Sequence, residues 1–180
     1  MQILITNTKG GCGKSTLTAC LAEILDADIV DHDPQGTLTI NAKYTGRFKP
    51  VNHGTSSKKY ILHDTPPYNN TTINSLIKEA DLILIPTKLT YPDLIALSTL
   101  ASKIVKLKMA SKVFLVFNEV RYQNKKLNEE VRDMFLKEFG ALKIAKTEIP
   151  NWLAFSKVLA NPLGDRERAK IRELVTEINI

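Results

Sequence analysis

A glycine-rich segment near the start of the chain constrains the fold more than any other feature. Residues 9–16 read KGGCGKST, and they follow a short apolar run that is typical of a β-strand. Glycines let the backbone curl so that successive N–H groups and the first turn of a following helix face an anion. The sequence therefore predicts a strand, a phosphate-binding loop and a helix in that order, which favours an α/β domain.

Short runs of β-type residues recur along the chain, with helical patterns between most of them. The predicted strands are Ile3–Thr6, Asp28–Val30, Tyr60–His63, Leu82–Pro86 and Val113–Phe117. Apolar residues at helical spacing mark two core-facing helices. One stripe comprises Leu94, Leu97, Ala101 and Ile104, and the other comprises Leu127, Val131, Met134 and Phe135, with Glu138 as its polar end. This alternation predicts an α/β fold with a parallel sheet that is covered on both faces.

Length and composition fit one compact unit. With 180 residues, of which 43% are hydrophobic, the chain can bury the core of a single domain over residues 1–180. Residues 41–58 are polar and rich in Gly, Ser, Asn and Lys, so we expect a loop there.

The sequence also favours a cytoplasmic protein. Its apolar runs are far shorter than the roughly 20 residues that span a bilayer, and Met1 leads straight into a predicted strand. We therefore expect no membrane span and no signal peptide. Cys12 and Cys20 are too few for a disulfide framework and are not spaced as metal ligands, which fits a reducing cytosol.

The excess of positive charge lies entirely in the second half of the chain. The formal net charge is +6, and residues 101–180 hold sixteen Lys and Arg against ten Asp and Glu, whereas residues 1–100 hold nine of each class. This distribution suits a polyanionic partner such as DNA. A solvated, soluble surface explains it equally well.

Two residues of the glycine-rich segment carry side-chain chemistry. Lys14 is placed to reach the β- and γ-phosphates of a nucleotide, and the Ser15 hydroxyl is placed to bind Mg²⁺. The general P-loop pattern has a glycine six residues before this lysine, where the chain has Thr8. The segment matches instead the deviant Walker A sequence KGGxGK[ST], whose additional lysine is Lys9.

Further segments extend this likeness. Asp31-His32-Asp33-Pro34-Gln35-Gly36 follows the second predicted strand, and Ile61-Leu62-His63-Asp64-Thr65-Pro66-Pro67 ends the third. Together with the phosphate loop, they make the chain resemble the ParA/MinD-type ATPases, in particular short ParA-like partition proteins without an N-terminal DNA-binding domain. Only 27 residues separate Gly36 from Asp64, fewer than we expect for the family, and the resemblance becomes loose beyond residue 118.

The resemblance implies a P-loop NTPase-like α/β fold, with a mostly parallel twisted sheet flanked by helices on both faces. It also implies an ATPase that uses Mg²⁺ and forms a nucleotide-sandwich dimer. Lys9 would cross to the nucleotide of the other subunit, and Asp33 would orient the attacking water, so that Lys9, Lys14 and Asp33 form the catalytic set. For Asp33, a purely structural hydrogen bond is the alternative. The nucleotide contacts would come from Lys9, Gly10, Gly11, Cys12, Gly13, Lys14, Ser15, Thr16, Asn118 and Pro150. The magnesium site would comprise Ser15, Asp33 and Asp64, the last at the carboxyl end of a strand.

The resemblance also implies a role in plasmid or chromosome segregation. A centromere-binding partner protein would stimulate slow hydrolysis, and the ATP-bound homodimer would bind DNA and associate with the nucleoid. No helix-turn-helix precedes the first predicted strand, so we expect sequence-independent contacts with phosphates. The candidate DNA-binding residues are Lys125, Lys126, Lys157, Arg166, Arg168, Lys170 and Arg172.

A MinD-like positioning factor, acting on a membrane or on protein cargo, is the alternative function. Residues 165–180 do place apolar side chains at helical spacing next to basic ones, as membrane-surface helices do. Four acidic residues interrupt the basic character of this run, and aromatic residues are missing from it. We therefore expect it to form a helix that packs on the sheet.

Overall fold

A computed structural model describes residues 1–67 and 71–180, in which six strands form one sheet. The strands are β1 (Gln2–Ile5), β2 (Asp28–Asp31), β3 (Ile61–Asp64), β4 (Leu82–Thr87), β5 (Val113–Phe117) and β6 (Lys143–Ile144). Their order across the sheet is β2-β3-β1-β4-β5-β6, and all five pairings between them are parallel. The predicted parallel α/β sheet is therefore confirmed, with β6 as a strand that the sequence pattern did not mark.

Helices cover both faces of this sheet. They are α1 (Lys14–Leu25), α2 (Thr37–Thr45), α3 (Thr71–Glu79), α4 (Tyr91–Lys106), α5 (Lys125–Phe139), α6 (Leu153–Ser156) and α7 (Asp165–Glu177). Side chains of each strand alternate between the two faces. In β1, Ile3 and Ile5 pack with α1 and α7, whereas Leu4 packs with α3, α4 and α5.

The two predicted helical stripes lie in α4 and α5. In α4, Leu97, Ala101 and Ile104 are buried and Leu94 packs against the same core, as predicted. In α5, Val131 and Phe135 are buried, but Leu127 and Met134 are 44% and 39% exposed, so the prediction is wrong for these two. The reason is that α5 buries a narrow stripe with a spacing of four residues, which continues to Phe139.

The strand order places the segment after β1 at the middle of one sheet edge. β1 lies between β3 and β4, and the chain first visits β2 and β3 on one side before it crosses to β4 on the other. Ligands of open α/β sheets bind where the strand order reverses in this way, at the carboxyl ends of the strands. Residues 6–13 therefore lie where such a ligand is expected.

Helix α2 corrects the expectation of a loop over residues 41–58. The helix continues to Thr45, so the first five residues of that stretch are helical. It buries only Leu38, and therefore the sequence lacks the apolar stripe that marks a helix. The first turn is stabilised instead by Asp31 Oδ2, which accepts hydrogen bonds from Thr39 N at 3.0 Å and Thr39 Oγ1 at 2.9 Å. Residues 46–58 contain no helix or strand.

Helix α7 spans Asp165–Glu177, where the sequence predicts a helix that packs on the sheet. The helix lies against α1 and shares a core with Ile3 and Ile5 of β1, in agreement with that prediction. Ile171 and Leu174 of the helix, and Ile178 directly after its end, are buried in this core.

Glu23, in α1, joins three parts of the chain. Its carboxylate accepts hydrogen bonds from Arg47 Nη2 at 2.7 Å and from the backbone N of Leu163 at 3.1 Å, and it forms an ion pair with Arg168. One acidic side chain thus connects α1 with the segment after α2 and with α7. Within residues 1–67 and 71–180, no helix has the length and apolar character needed to cross a membrane.

Candidate nucleotide-binding site

The segment after β1 forms a tight loop that leads into α1. Gly11 and Gly13 have φ angles of +70° and +91°, a left-handed backbone conformation that favours glycine. Gly13 also lies against Asn118, because a Cβ atom at position 13 would come within 2.0 Å of Asn118 Nδ2. At the start of α1, backbone N–H groups without helical partners and the helix dipole favour a bound anion. The loop therefore has the geometry of a phosphate site.

Lys14, the first residue of α1, folds its side chain back over this loop. Its Nζ donates a hydrogen bond to the carbonyl oxygen of Lys9 at 3.1 Å and lies 3.8 Å from Cys12 Sγ. A buried ammonium in this position can form charge-assisted hydrogen bonds with phosphate oxygens. Burial raises the pKa of the Cys12 thiol, although Lys14 acts in the opposite direction. We therefore assign Cys12 no nucleophilic role.

Ser15 and Asp64 form the polar centre beside the loop. Ser15 Oγ donates to Asp64 Oδ2 at 2.6 Å, and Thr18 Oγ1 donates to Asp64 Oδ1 at 3.2 Å. The pKa of the Asp64 carboxyl is raised to about 7, mainly by burial and also by the charge of Asp31, and the hydrogen bond from Ser15 opposes this shift. Ionisation of a buried carboxyl group is unfavourable, so a nearby cation stabilises its ionised form strongly.

These groups fit a magnesium site that is completed by a phosphate. Mg²⁺ prefers oxygen ligands, keeps several waters and binds through one or two carboxylates plus substrate phosphates. The Ser15 hydroxyl and the Asp64 carboxylate supply oxygens of this kind next to the loop. In the described part of the chain, no three His, Cys, Asp or Glu side chains are arranged to hold a metal ion by themselves. The donor set thus fits a metal ion that binds together with a nucleotide.

The two aspartates of residues 31–36 have different surroundings. Asp31 is paired in register with Asp64 at the ends of β2 and β3, and its Oδ1 accepts a hydrogen bond from the backbone N of Asp33 at 3.1 Å. Asp33 Oδ1 accepts from the backbone N of Gln35 at 2.9 Å, in a local turn. Of these two aspartates, Asp31 is the one whose charge raises the pKa of the Asp64 carboxyl. Sequence reasoning gave Asp31 no role, although it belongs to the same segment as Asp33.

Lys9 is held by a helix of its own chain. Its Nζ lies 2.6 Å from Oδ2 of Asp93, in the first turn of α4. Asp93 is 1% exposed and also accepts a hydrogen bond from Thr90 Oγ1, while its Oδ1 has no partner among the described residues. The side chain of Lys9 is 32% exposed, so its ammonium lies at the surface end of this pair.

Asn118 and Pro150 line a cavity beyond the phosphate loop. Asn118 Nδ2 donates to the carbonyl oxygen of Cys12 at 2.8 Å, which joins the end of β5 to the loop. The cavity has a volume of about 320 Å³ and is bounded by Thr16, by Asn118 and by residues of the segment 150–156. Three residues expected to contact the nucleotide, Thr16, Asn118 and Pro150, therefore meet at one cavity.

The seven basic residues expected to contact DNA fall into two groups. Four have intramolecular partners: Arg168 with Glu23, Lys170 with Glu173, Lys125 with Glu129, and Arg166 over the ring of Trp152. The other three are exposed: Lys126, Lys157 and Arg172. The second group is the better candidate for contacts with a polyanion, because these side chains have no ion pair with the residues that the structure describes.

In this parallel sheet, a central strand leads through a glycine-rich loop into a helix, and a lysine, a serine and a buried aspartate surround that loop. This combination defines a P-loop nucleotide-binding protein. Residues 3–162 match the model of the CobQ/CobB/MinD/ParA nucleotide binding domain, and the chain belongs to that family. The ParA/MinD-type resemblance of the motifs is therefore confirmed.

Several solved structures share the fold. A candidate plasmid partition protein of Borrelia burgdorferi B31 bound to AMPPNP is 16% identical with a TM-score of 0.77, over 98% of this chain and 97% of that one. A chain of the MinC:MinD cell division protein complex of Aquifex aeolicus is 15% identical with a TM-score of 0.72, over 98% and 96%. pNOB8 ParA bound to nonspecific DNA is 17% identical with a TM-score of 0.54, over 98% and 99%. No curated protein gives a significant match.

Proposed function

We propose that the chain is a Mg²⁺-dependent ATPase that dimerises with ATP between its subunits and binds DNA non-specifically during plasmid or chromosome segregation. The observation that carries this proposal is the 2.6 Å contact of Ser15 Oγ with the buried carboxylate of Asp64, beside the loop that contains Lys14. A hydroxyl and a carboxylate at this point are the groups that a nucleotide-bound magnesium ion requires.

In this proposal the residues of the loop have separate tasks. Lys14 and the backbone N–H groups bind the β- and γ-phosphates, and Ser15 and Asp64 hold the magnesium ion, which stabilises the charge that develops during phosphoryl transfer. Asp33 orients the attacking water with its carboxylate. Because Asp33 Oδ1 accepts a hydrogen bond from Gln35, the turn at residues 33–35 must open or present the other carboxylate oxygen.

Dimerisation and hydrolysis are linked through Lys9. Its ammonium lies at the surface end of its ion pair with Asp93, so it can be released towards a second subunit. A second cation on the triphosphate stabilises the charge between the β- and γ-phosphates in the transition state. Hydrolysis then depends on the presence of the partner subunit, and a centromere-binding protein can stimulate it by stabilising that arrangement.

The DNA-binding part of the proposal is supported by charge. The excess of basic residues lies after residue 100, and Lys126, Lys157 and Arg172 are exposed. The similar pNOB8 ParA is bound to nonspecific DNA. Contacts with phosphates need only a set of free cations, and a dimer doubles their number.

The second candidate function is an ATP-gated positioning factor, and the likeness to the MinC:MinD complex favours it. Membrane binding through α7 is not supported, because Ile171 and Leu174 of this helix and Ile178 directly after it are buried. Co-sedimentation with DNA and with anionic liposomes, each with ATP and with ADP, separates the two functions. ATP-dependent sedimentation with liposomes alone would reject the DNA proposal.

The ATPase part is tested by phosphate release with Mg²⁺ and with EDTA. Wild-type protein is expected to release phosphate only with Mg²⁺, and Lys14→Ala is expected to be inactive. Lys137→Ala, which changes an exposed lysine of α5, serves as the matched control and should keep wild-type activity. Equal activity of Lys14→Ala and Lys137→Ala would contradict the assignment of the loop.

A further inference from the structure

Helices α4 and α5 leave an open groove between their C-terminal halves, with a volume of about 320 Å³. Its floor is apolar, because Ala101, Phe139 and Leu142 line the groove and are buried. Its wall on α4 carries the small side chains of Ser98 and Ser102. Small side chains at a contact let two helices approach closely. The groove can therefore receive the apolar side chains of a third helix.

Exposed apolar side chains continue the groove along both helices. Ile95 and Val105 of α4 and Met134 of α5 are exposed. Positions 95, 98, 102 and 105 are spaced as one stripe of an α-helix, so Ile95 and Val105 flank the two serines of the wall. Met134 precedes Glu138, which lines the groove, by about one turn. Apolar side chains that are exposed together in this way are typical of a surface that binds another protein.

Lysines dominate the charge around this apolar surface. Residues 98–112 contain four lysines and no Asp or Glu, and residues 136–143 contain two lysines and one Glu. Lys106 lines the groove, and Lys106, Lys108 and Lys137 are exposed. Their charge is complementary to a helix that carries acidic residues beside its apolar face. DNA would contact the lysines but would leave the apolar floor without a partner, so a protein helix fits the groove better.

The groove lies at the end of α4 that is remote from the phosphate loop. The first turn of α4 holds Asp93, the partner of Lys9, and Val105 lies about 18 Å further along the helix axis, from the rise per residue of an α-helix. The described residues that line the groove all belong to α4, to α5 or to the segment directly after α5. A ligand in the groove can therefore be bound without any contact with a nucleotide in the loop.

We propose that this groove is the docking site for a partner protein that presents an amphipathic helix with an apolar face and acidic flanks. The partner binds with and without nucleotide, and it stays attached while the phosphate loop is filled and emptied. The inference goes beyond the proposed function and does not rest on it, because the groove is formed without residues 9–16.

Three labelled peptides of about 18 residues, long enough to form a helix, test the proposal. The first has leucines on one helical face and glutamates on the other, the second replaces the glutamates by lysines, and the third replaces the leucines by glutamines. Fluorescence anisotropy measures their binding to the protein with AMPPNP, with ADP and without nucleotide. The first peptide is expected to bind at least about tenfold more tightly than the other two, with the same affinity in all three conditions.

Variants of the groove and a matched control locate the binding site. Val105→Asp places a carboxylate on the apolar stripe and is expected to weaken binding of the acidic peptide at least about tenfold. Leu136 is exposed to the same extent as Val105, 48%, and lies outside the described lining of the groove, so Leu136→Asp should keep wild-type affinity. A Lys106→Glu, Lys108→Glu double variant leaves the core unchanged and should weaken the acidic peptide while strengthening the lysine peptide. Thermal melting verifies that each variant is folded.

Several outcomes would overturn the inference. These are no binding of the acidic peptide, equal binding of the lysine or glutamine peptide, binding only with AMPPNP, or an equal loss in Leu136→Asp. If light scattering shows a nucleotide-free dimer that Val105→Asp converts to a monomer, the groove binds a second copy of the chain and the partner is rejected. If the double lysine variant loses DNA binding but keeps peptide binding, the lysines belong to a DNA surface and the proposal also fails. Peptide binding by a protein that does not bind AMPPNP would reject the proposed function alone.

Discussion

Lys9 Nζ and Asp93 Oδ2 form an ion pair of 2.6 Å within one subunit, between the phosphate loop and the first turn of α4. Asp93 is buried, so a departure of Lys9 leaves a buried carboxylate without its cation, which is unfavourable. A second subunit that presents a triphosphate offers Lys9 a stronger anionic partner. Release of Lys9 should therefore depend on nucleotide in the opposite subunit.

This relationship predicts separate effects on binding and on hydrolysis. Lys9→Ala should bind AMPPNP within a few fold of wild type, because the loop and Lys14 remain, but it should neither dimerise nor hydrolyse ATP. Asp93→Asn keeps Lys9 and removes its charged partner, so dimers should form at lower protein concentration. Calorimetry, light scattering and phosphate release measure the three quantities. Normal hydrolysis by Lys9→Ala would show that Lys9 does not act in catalysis.

Alanine substitutions of two loop glycines, Gly13 and Gly11, are expected to reduce AMPPNP binding and stability to different extents. Gly13→Ala should abolish AMPPNP binding and lower the Tm, because its Cβ would meet Asn118 Nδ2 at 2.0 Å and its φ is +91°. Gly11→Ala has an unfavourable φ of +70° but open space around the Cβ, so only backbone strain of about 1–2 kcal/mol is expected. Calorimetry and thermal melting compare the two variants. Equal losses of AMPPNP affinity and of Tm in the two variants would mean that the close approach of Gly13 to Asn118 does not contribute.

DNA binding should require ATP and weaken steeply with salt. If about three basic residues per subunit contact phosphates, counterion release gives a log–log salt slope of about −5 for the dimer. A charge reversal to Glu at the exposed basic residues should abolish binding with little change in Tm; these are Lys126, Lys157 and Arg172. The control reverses three exposed lysines from the first half of the chain: Lys43, Lys49 and Lys78. ATP-dependent binding that survives the first triple change but not the control would place the DNA surface in the first half.

His63 predicts a dependence of stability on pH. Burial lowers the pKa of His63 to about 4 from 6.5, and the charges of His32 and His53 act in the same direction. The unfolded chain therefore binds this proton more readily, and the contribution of His63 to stability, complete above pH 6.5, is lost as the pH falls towards 4. His63→Gln should remove this contribution.

Urea unfolding of the nucleotide-free protein at pH 7, 6 and 5 measures the effect. Relative to His63→Gln, wild-type protein should lose stability as the pH falls. The comparison between variants is needed because the raised pKa of Asp64 acts oppositely, favouring the folded state at lower pH. A difference between the two proteins that stays constant with pH would contradict the prediction.

The sequence predicted those parts of the site that are consecutive in the chain. The loop 9–16 carries its function in adjacent residues, and Asp64 is identified by the strand that it ends. The partner of Lys9 could not be predicted in this way, because Asp93 is 84 residues away and only the pairing of β1 with β4 brings the two together. Helix α2 escaped prediction because its first turn depends on a hydrogen bond from Thr39 to Asp31 and not on an apolar stripe.

The shared carboxylate of Glu23 has a mechanical consequence for the helix that starts at the phosphate loop. Glu23 lies in the last turns of α1, so its contacts fix this helix at the end remote from the anion-binding terminus. Arg47 and Arg168 form the ion pairs with Glu23, and these two residues lie more than a hundred positions apart in the sequence. Any axial displacement of α1 must therefore be transmitted to the segment after α2 and to α7 at once, which makes these two distant parts of the chain respond as one body.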